Sequence, residues 1–359
     1  MRKSDSMESS ASADEDAGLR VGRPRDWVIG GLLLVALVVG VALTIGWGAL
    51  LAPWLALTPA ELLLPLGLTA LSYFLRGVRI HDYFRPNLDG RFLTVLRLSI
   101  LHNTANNLLP MRAGEMVFPW LMGRYFGHGF LGATASLFWI RLLDLHFLGL
   151  IGIYILYLRD SSWVWPLAAL AWLALAPMAG LAGRLAPIGP GRIGKVLGVV
   201  TEAAPASAGR AIRIYLWTAL TWISKFFAFA LVLRYFLPVE LWQVLVGVMG
   251  AELSSVLPFH GIAGSGSYEL AVIAVLVPQG VSAEAALAGA VNLHLFLMGV
   301  TLILGALALL LPVAVDSVQP PHGVAPYRRA FSSRDEQFTT KRTHSAEDST
   351  EDADVDRKI

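Results

Sequence analysis

Residues 103–115 read N-T-A-N-N-L-L-P-M-R-A-G-E. In water this would be a turn: three Asn, a Pro, an Arg, a Gly and a Glu crowd into one short run. Its setting is apolar on both sides. Unpaired polar groups and charges at membrane depth cost several kcal/mol, so such a run persists there only inside protein or beside a wet cavity. Residues 252–269, E-L-S-S-V-L-P-F-H-G-I-A-G-S-G-S-Y-E, repeat the character: apolar arms around a Pro-Gly break that ends in Glu. The chain reads as a frame that holds two broken segments together.

Composition agrees. Of 359 residues, 55% are hydrophobic and 15% charged, with mean hydropathy +0.60; soluble domains carry about 25% charge. A net charge of +2 without a basic, aromatic-interleaved stripe gives no reason to expect nucleic acid. Cysteine is absent, which excludes disulfides, thiolate metal sites and Cys nucleophiles. No metal and no cofactor are expected.

Outward from the two breaks, hydropathy predicts an all-α polytopic membrane protein of about six spanning helices, over 27–50, 60–81, 130–158, 163–182, 212–236 and 284–313. Residues 1–26 and 314–359 are polar tails expected to be disordered, and the first run is too long for a signal peptide. Pro53 and Pro59 are expected to break the chain after the first span. Arg76, Arg79, Arg85 and Arg91 form a basic cluster at the end of the second span, and the linker 183–210 is also basic. The positive-inside rule then places both termini in the cytoplasm of a plasma-membrane protein. The arms at 92–109, 116–126, 241–257 and 270–279 are short for spanning, so each pair is expected to form a re-entrant hairpin.

The two hairpins sit in matching frames. Residues 71–76 (LSYFLR) resemble 220–225 (LTWISK), Asn106-Asn107-Leu108-Leu109-Pro110 resembles Ser254-Ser255-Val256-Leu257-Pro258, Glu115 answers Glu269, and Arg141 and Asp144 answer Asn292 and His294 more loosely. Opposite starting sides make these halves, about 60–158 and 212–313 of a membrane domain at 27–313, an inverted-topology repeat.

Several residues are candidates for chemistry. Glu115 and Glu269 follow Pro-Gly breaks, where they either cap a helix start or face a cavity. Arg112 either pairs with Glu115 or meets a lipid phosphate. Arg141 and Asp144, three apart on one helix face, either neutralise each other or present Arg141 to the cavity. Asn103, Asn106 and Asn107 either satisfy broken backbone or line the cavity. Pro110, Gly114, Pro258 and Gly261 are structural breaks. Gly261, Gly264 and Gly266 favour a tight turn, with a phosphate cradle as the alternative. His260 and His294 read as packing or hydrogen-bonding residues.

At N-N-L-L-P-M-R-A-G-E (106–115), R-L-L-D (141–144) and the L-P…G-S-G-S-Y-E run (257–269), the sequence resembles the flippase-like family built on the transmembrane region of lysylphosphatidylglycerol synthases, over about 25–315. Larger members add a soluble aminoacyl-transfer domain, for which this chain has no room. The resemblance implies a membrane protein that moves a lipid or lipid-linked sugar between leaflets. The partners would be membrane lipids with an anionic or phosphate-bearing head group, with a protein partner left open. An intramembrane transferase on a lipid-linked donor and a non-catalytic scaffold subunit are the alternatives.

Overall fold

The computed structural model describes residues 24–85, 88, 90–185, 191–205, 207–254 and 261–313. The expectations for the tails 1–23 and 314–359, for Pro258 and His260, and for the side chain of Arg112 lie outside the described residues.

Within them the chain is helical throughout, with no strand. Helices α1 (Pro24–Thr44) and α2 (Trp47–Ala56) replace the single first span. The division falls at Gly46, whose φ of 83° a side chain would resist. Pro53 does not break the chain; it lies inside α2. Next come α3 (Pro59–Phe84), α4 (Phe92–Leu108), a 3-10 turn at Pro110–Met116, α5 (Val117–Phe126) and α6 (Phe130–Asp160). They are followed by α7 (Val164–Leu185), α8 (Arg192–Glu202), α9 (Ala208–Phe236), α10 (Leu241–Ser254), a 3-10 turn at Ile262–Gly264, α11 (Ser267–Leu276) and α12 (Ala283–Leu310).

Starts and stops follow local chemistry. Thr58 and Glu61 form a reciprocal capping box and Pro59 takes the first position of α3. Ser207 and Ser282 cap α9 and α12 by accepting from Arg210 N and Ala285 N, at 3.3 and 3.2 Å. Gly127, at φ 66°, closes α5.

Among the described residues, six stretches are long and apolar enough to cross a membrane: Trp27–Thr44, Pro59–Phe84, Phe130–Asp160, Ala208–Phe236, Ile262–Gln279 and Ala283–Leu310. Five of them fall on expected spans, and Ile262–Gln279 lies where the sequence reading expected a hairpin. The remaining expected span, 163–182, coincides with α7, a helix of 22 residues. Leu55, Leu43 and Leu32 are strongly exposed, which suits helices that face lipid.

The order long helix, medium helix, 3-10 break, short helix, long helix occurs twice, as α3-α4-α5-α6 and α9-α10-α11-α12. The lengths are 26, 17, 10 and 31 residues against 29, 14, 10 and 28. Each half has its own apolar core. One gathers Leu98, Phe118, Met122 and Ile140; the other gathers Phe229, Val248, Val272 and Phe296. The long leading helices α3 and α9 pack against each other, α4 lies on α12, and α10 lies on α6. The two breaks touch each other, and α1 lies against both.

Candidate functional site

Gly114 lets the first break fold back on α4: a Cβ there would stand 2.3 Å from Asn106 N. That approach brings Glu115 under Asn106, whose Nδ2 donates to Glu115 Oε1 at 3.2 Å. The same carboxylate oxygen accepts from Arg141 Nη2 at 2.8 Å. His102 sits beside them, with Nδ1 3.2 Å from Gly114 O and Nε2 facing the amide of Asn106 and the guanidinium of Arg141. One nitrogen meets an acceptor and the other meets donors, so these partners assign His102 as the neutral Nδ1–H tautomer.

Arg141 also reaches Asp144, but at 3.4 Å. The closer partner of Asp144 is Arg79, at 2.5 Å, and Trp222 Nε1 donates to Asp144 Oδ1 at 2.9 Å. Arg79 donates in addition to Thr218 Oγ1 at 3.0 Å. Of the two readings of Arg141 and Asp144, the self-contained pair is corrected: Arg141 bridges Asp144 to Glu115, and Arg79 from α3 is the main counter-ion of Asp144.

A second correction concerns the basic cluster. Arg76 and Arg79 are 7% and 2% exposed, so they belong to the interior and not to a charged helix end. Arg76 donates to Asn103 Oδ1 at 3.3 Å and lies over the Trp222 ring, 5.4 Å from its centroid. Lys225 stacks on the same ring and pairs with Glu252 at 2.6 Å. Arg76, Arg79, His102, Asn103 and Arg141 converge with Ile80, Leu137 and Ile140 on one small cavity, of about 10 Å³, room for roughly a single water. Among the described residues, four cations (Arg76, Arg79, Arg141 and Lys225) and three carboxylates (Asp144, Glu115 and Glu252) gather here, one positive charge more than negative with His102 neutral.

Asn107 lies apart from this cavity. Its amide donates to Tyr73 OH and Thr301 Oγ1, at 3.1 and 2.9 Å, and so ties α4 to α3 and α12. Asn103 also donates to Ser99 O at 2.8 Å, back-bonding to its own helix.

The second break is built differently. Gly264 and Gly266 have φ of 81° and 82°, and a Cβ on Gly261 would meet Ser265 O at 2.1 Å, so all three glycines are required by the turn. Glu269 is 1% exposed. One of its oxygens accepts from Gly266 N at 2.8 Å, and the other lies 2.6 Å from His294 Nδ1. It therefore caps a helix and also pairs across to α12. Its partner is His294; Asn292 turns away and accepts from Trp54 Nε1 at 2.6 Å.

The halves correspond in these bonds as well as in order. Arg76 reaches Asn103, and Lys225 reaches Glu252, each pair being 27 residues apart. Glu115 reaches Arg141 across 26 residues, and Glu269 reaches His294 across 25. The candidate residues thus fall into two linked groups. Glu115, Arg141, Asp144, Asn103 and Asn106 join one network, and Glu269 with Gly261, Gly264 and Gly266 forms the other.

Arg76, Arg79, His102, Trp222, Lys225 and Glu252 are the members that sequence reasoning missed. A signal existed: Thr69, Ser72, Tyr73, Arg76 and Arg79 recur at helical spacing on α3 and mark one polar face.

A helical frame with a buried ionic centre and apolar flanks defines a multi-pass membrane protein. Residues 27–305 match the family described as lysylphosphatidylglycerol synthase TM region, and the chain belongs to that family. No curated protein and no solved structure matches it.

Proposed function

We propose that the protein carries a lipid, or a lipid-linked sugar, between leaflets by passing its anionic or phosphate-bearing head group along the polar centre while the tails stay in hydrocarbon. The observation that carries this reading is the convergence of Arg76, Arg79 and Arg141 on one cavity beside a helix break, with cations outnumbering carboxylates among the described residues. Guanidinium forks suit phosphate and carboxylate oxygens, and buried cations in hydrocarbon are expensive unless they serve an anion. The cavity as it stands is too small for a head group, so passage requires the helices around it to part. Fixed polar groups then replace the water that the head group loses.

The matching halves support an inverted-topology repeat whose two broken hairpins meet at the site, each entering from its own side. Helices α5 and α11, of 10 residues each, are about 15 Å long, half the thickness of a bilayer core of about 30 Å. In this reading both termini lie in the cytoplasm of a plasma-membrane protein, and the protein is a transporter and not an enzyme.

The test is reconstitution. Purified protein in sealed vesicles should move a fluorescent anionic phospholipid between leaflets faster than protein-free vesicles do. Turnover of a lipid-linked donor in detergent, where leaflets do not exist, would instead mark a transferase. Neither activity, together with a protein that co-purifies stoichiometrically, would mark a scaffold. Mass spectrometry of lipid retained through purification would identify the head group.

A further inference from the structure

The histidine of the second break is placed unlike that of the first. His294 is 6% exposed, and each of its ring nitrogens faces an acceptor. Nδ1 lies 2.6 Å from Glu269 Oε1, and Nε2 lies 2.7 Å from Ala263 O. A carbonyl can only accept, so Nε2 carries hydrogen. The contact to Glu269 needs a second hydrogen, whether it sits on Nδ1 or on the carboxyl. His102, facing an acceptor on one side and donors on the other, needs only one.

We propose that Glu269 and His294 form a proton-binding site and that the bound proton is the ion coupled to head-group passage. This inference rests on the transport reading above. The site occupies the place that Glu115 and Arg141 hold in the first half, with a titratable imidazole where that half has a permanent cation. The pair takes its proton from water on one side and gives it up to water on the other. No covalent bond is made or broken beyond the N–H or O–H that holds it.

Loss of the proton has a structural consequence. One of the two contacts of His294 then lacks hydrogen, and two lone pairs face each other. Either Glu269 is released from α12, or Ala263 is. Ala263 is the residue held at φ 54°, in the left-handed region that a non-glycine residue avoids, and it lies between Gly261 and Gly264 in the turn itself. The proton thus fastens a strained turn to α12, and its departure frees the turn that touches the first break.

The charged and titratable surroundings fit a pair that must keep its own proton count. Tyr268 stacks on His294 with ring centroids 4.4 Å apart, and its buried hydroxyl has no hydrogen-bond partner among the described residues. Glu252 on α10 acts on Tyr268 electrostatically and is itself paired with Lys225 of α9. From α1 the turn meets Gly30 and Leu33, and from α2 the neighbouring Asn292 meets Trp54, all without charge.

Two measurements decide the matter. In vesicles, the wild-type translocation rate should differ roughly tenfold between the two directions of an imposed pH difference, a size ordinary for coupled sites. Glu269→Gln should bring that ratio near one; if this variant does not fold, His294→Arg, which puts a permanent cation beside Glu269 as Arg141 stands beside Glu115, reads the same ratio. Wild-type translocation that ignores the direction of the gradient would overturn the coupling. If wild-type protein moves no lipid at all, the transport reading fails, and coupling to lipid fails with it. The proton site is judged separately by nitrogen and carboxyl NMR of histidine- and glutamate-labelled protein in lipid discs, with His294 identified by the signal lost in His294→Gln. The pair should hold its second hydrogen in the protein as purified, since both ring nitrogens of His294 face acceptors. A neutral imidazole beside an ionised Glu269 would overturn the site.

Discussion

At Asp144 two arginines and an indole meet, but they are not equivalent partners. Arg79 is buried and holds the carboxylate at 2.5 Å, whereas Arg141 is 30% exposed by side chain and divides itself between Asp144 and Glu115. Removing one member of a buried pair strands the other charge, at a cost of about 3–5 kcal/mol. Asp144→Asn should therefore lower thermal stability in detergent by roughly that amount, because Arg79 then has only neutral acceptors, Thr218 and the new amide oxygen, in place of its counter-ion. Arg141→Gln should cost distinctly less, since Asp144 keeps Arg79. Equal melting temperatures for wild type and Asp144→Asn would show that the pair is not structural. The sequence could show Arg141 and Asp144 sharing a helix face. It could not show that Arg79, 65 residues earlier, would reach Asp144, because that approach depends on how α3 and α6 pack.

The breaks are the elements on which the rest depends, and their glycines test them. Gly114→Ala would drive a Cβ to 2.3 Å from Asn106 N, and Gly261→Ala would drive one to 2.1 Å from Ser265 O. Backbone cannot yield as a side chain does, so each should destabilise by at least the 1–3 kcal/mol of an overpacked core. Gly31→Ala and Gly40→Ala meet nothing within 4 Å and should be tolerated; thermal melts of the four variants make the comparison. Relief is also available: Ala263→Gly removes a left-handed penalty of about 1 kcal/mol and should stabilise by a similar amount. The breaks were legible in the sequence because Pro, Gly and Asn are costly beside hydrocarbon. Arg76 and Arg79 were misplaced because charge near a span end usually marks the interface. The polar face they extend along α3 was the better guide.

At the scale of the whole molecule, the order of helices and the all-α class followed from hydropathy, while the spanning length of Ile262–Gln279 did not. The stretch Ile262–Gln279 passes the length and apolarity that a crossing needs, although a 3-10 turn and two positive-φ glycines, Gly264 and Gly266, interrupt it. Composition counts residues and does not register such interruptions. The proposed orientation has a direct check, since the chain has no native cysteine. Ser161→Cys, at the exposed end of α6, should be labelled by an impermeant maleimide from outside intact cells, and Ala208→Cys, at the exposed start of α9, should not. The reverse pattern would invert the topology.

The central claim is that the excess positive charge serves a passing anion, and Arg76 isolates it. Among the described residues its side chain meets Asn103 and the ring of Trp222, and it forms no ion pair. Arg76→Gln therefore strands no carboxylate and removes a costly buried charge, so folding should hold or improve. The decisive measurement is leaflet-to-leaflet movement of an anionic phospholipid in sealed vesicles, compared between wild type and Arg76→Gln at equal protein content and with melting temperature recorded. A fall of roughly tenfold, about 1.4 kcal/mol in the barrier, with an undiminished melting temperature is the predicted result. Wild-type movement by a normally folded Arg76→Gln protein would contradict it.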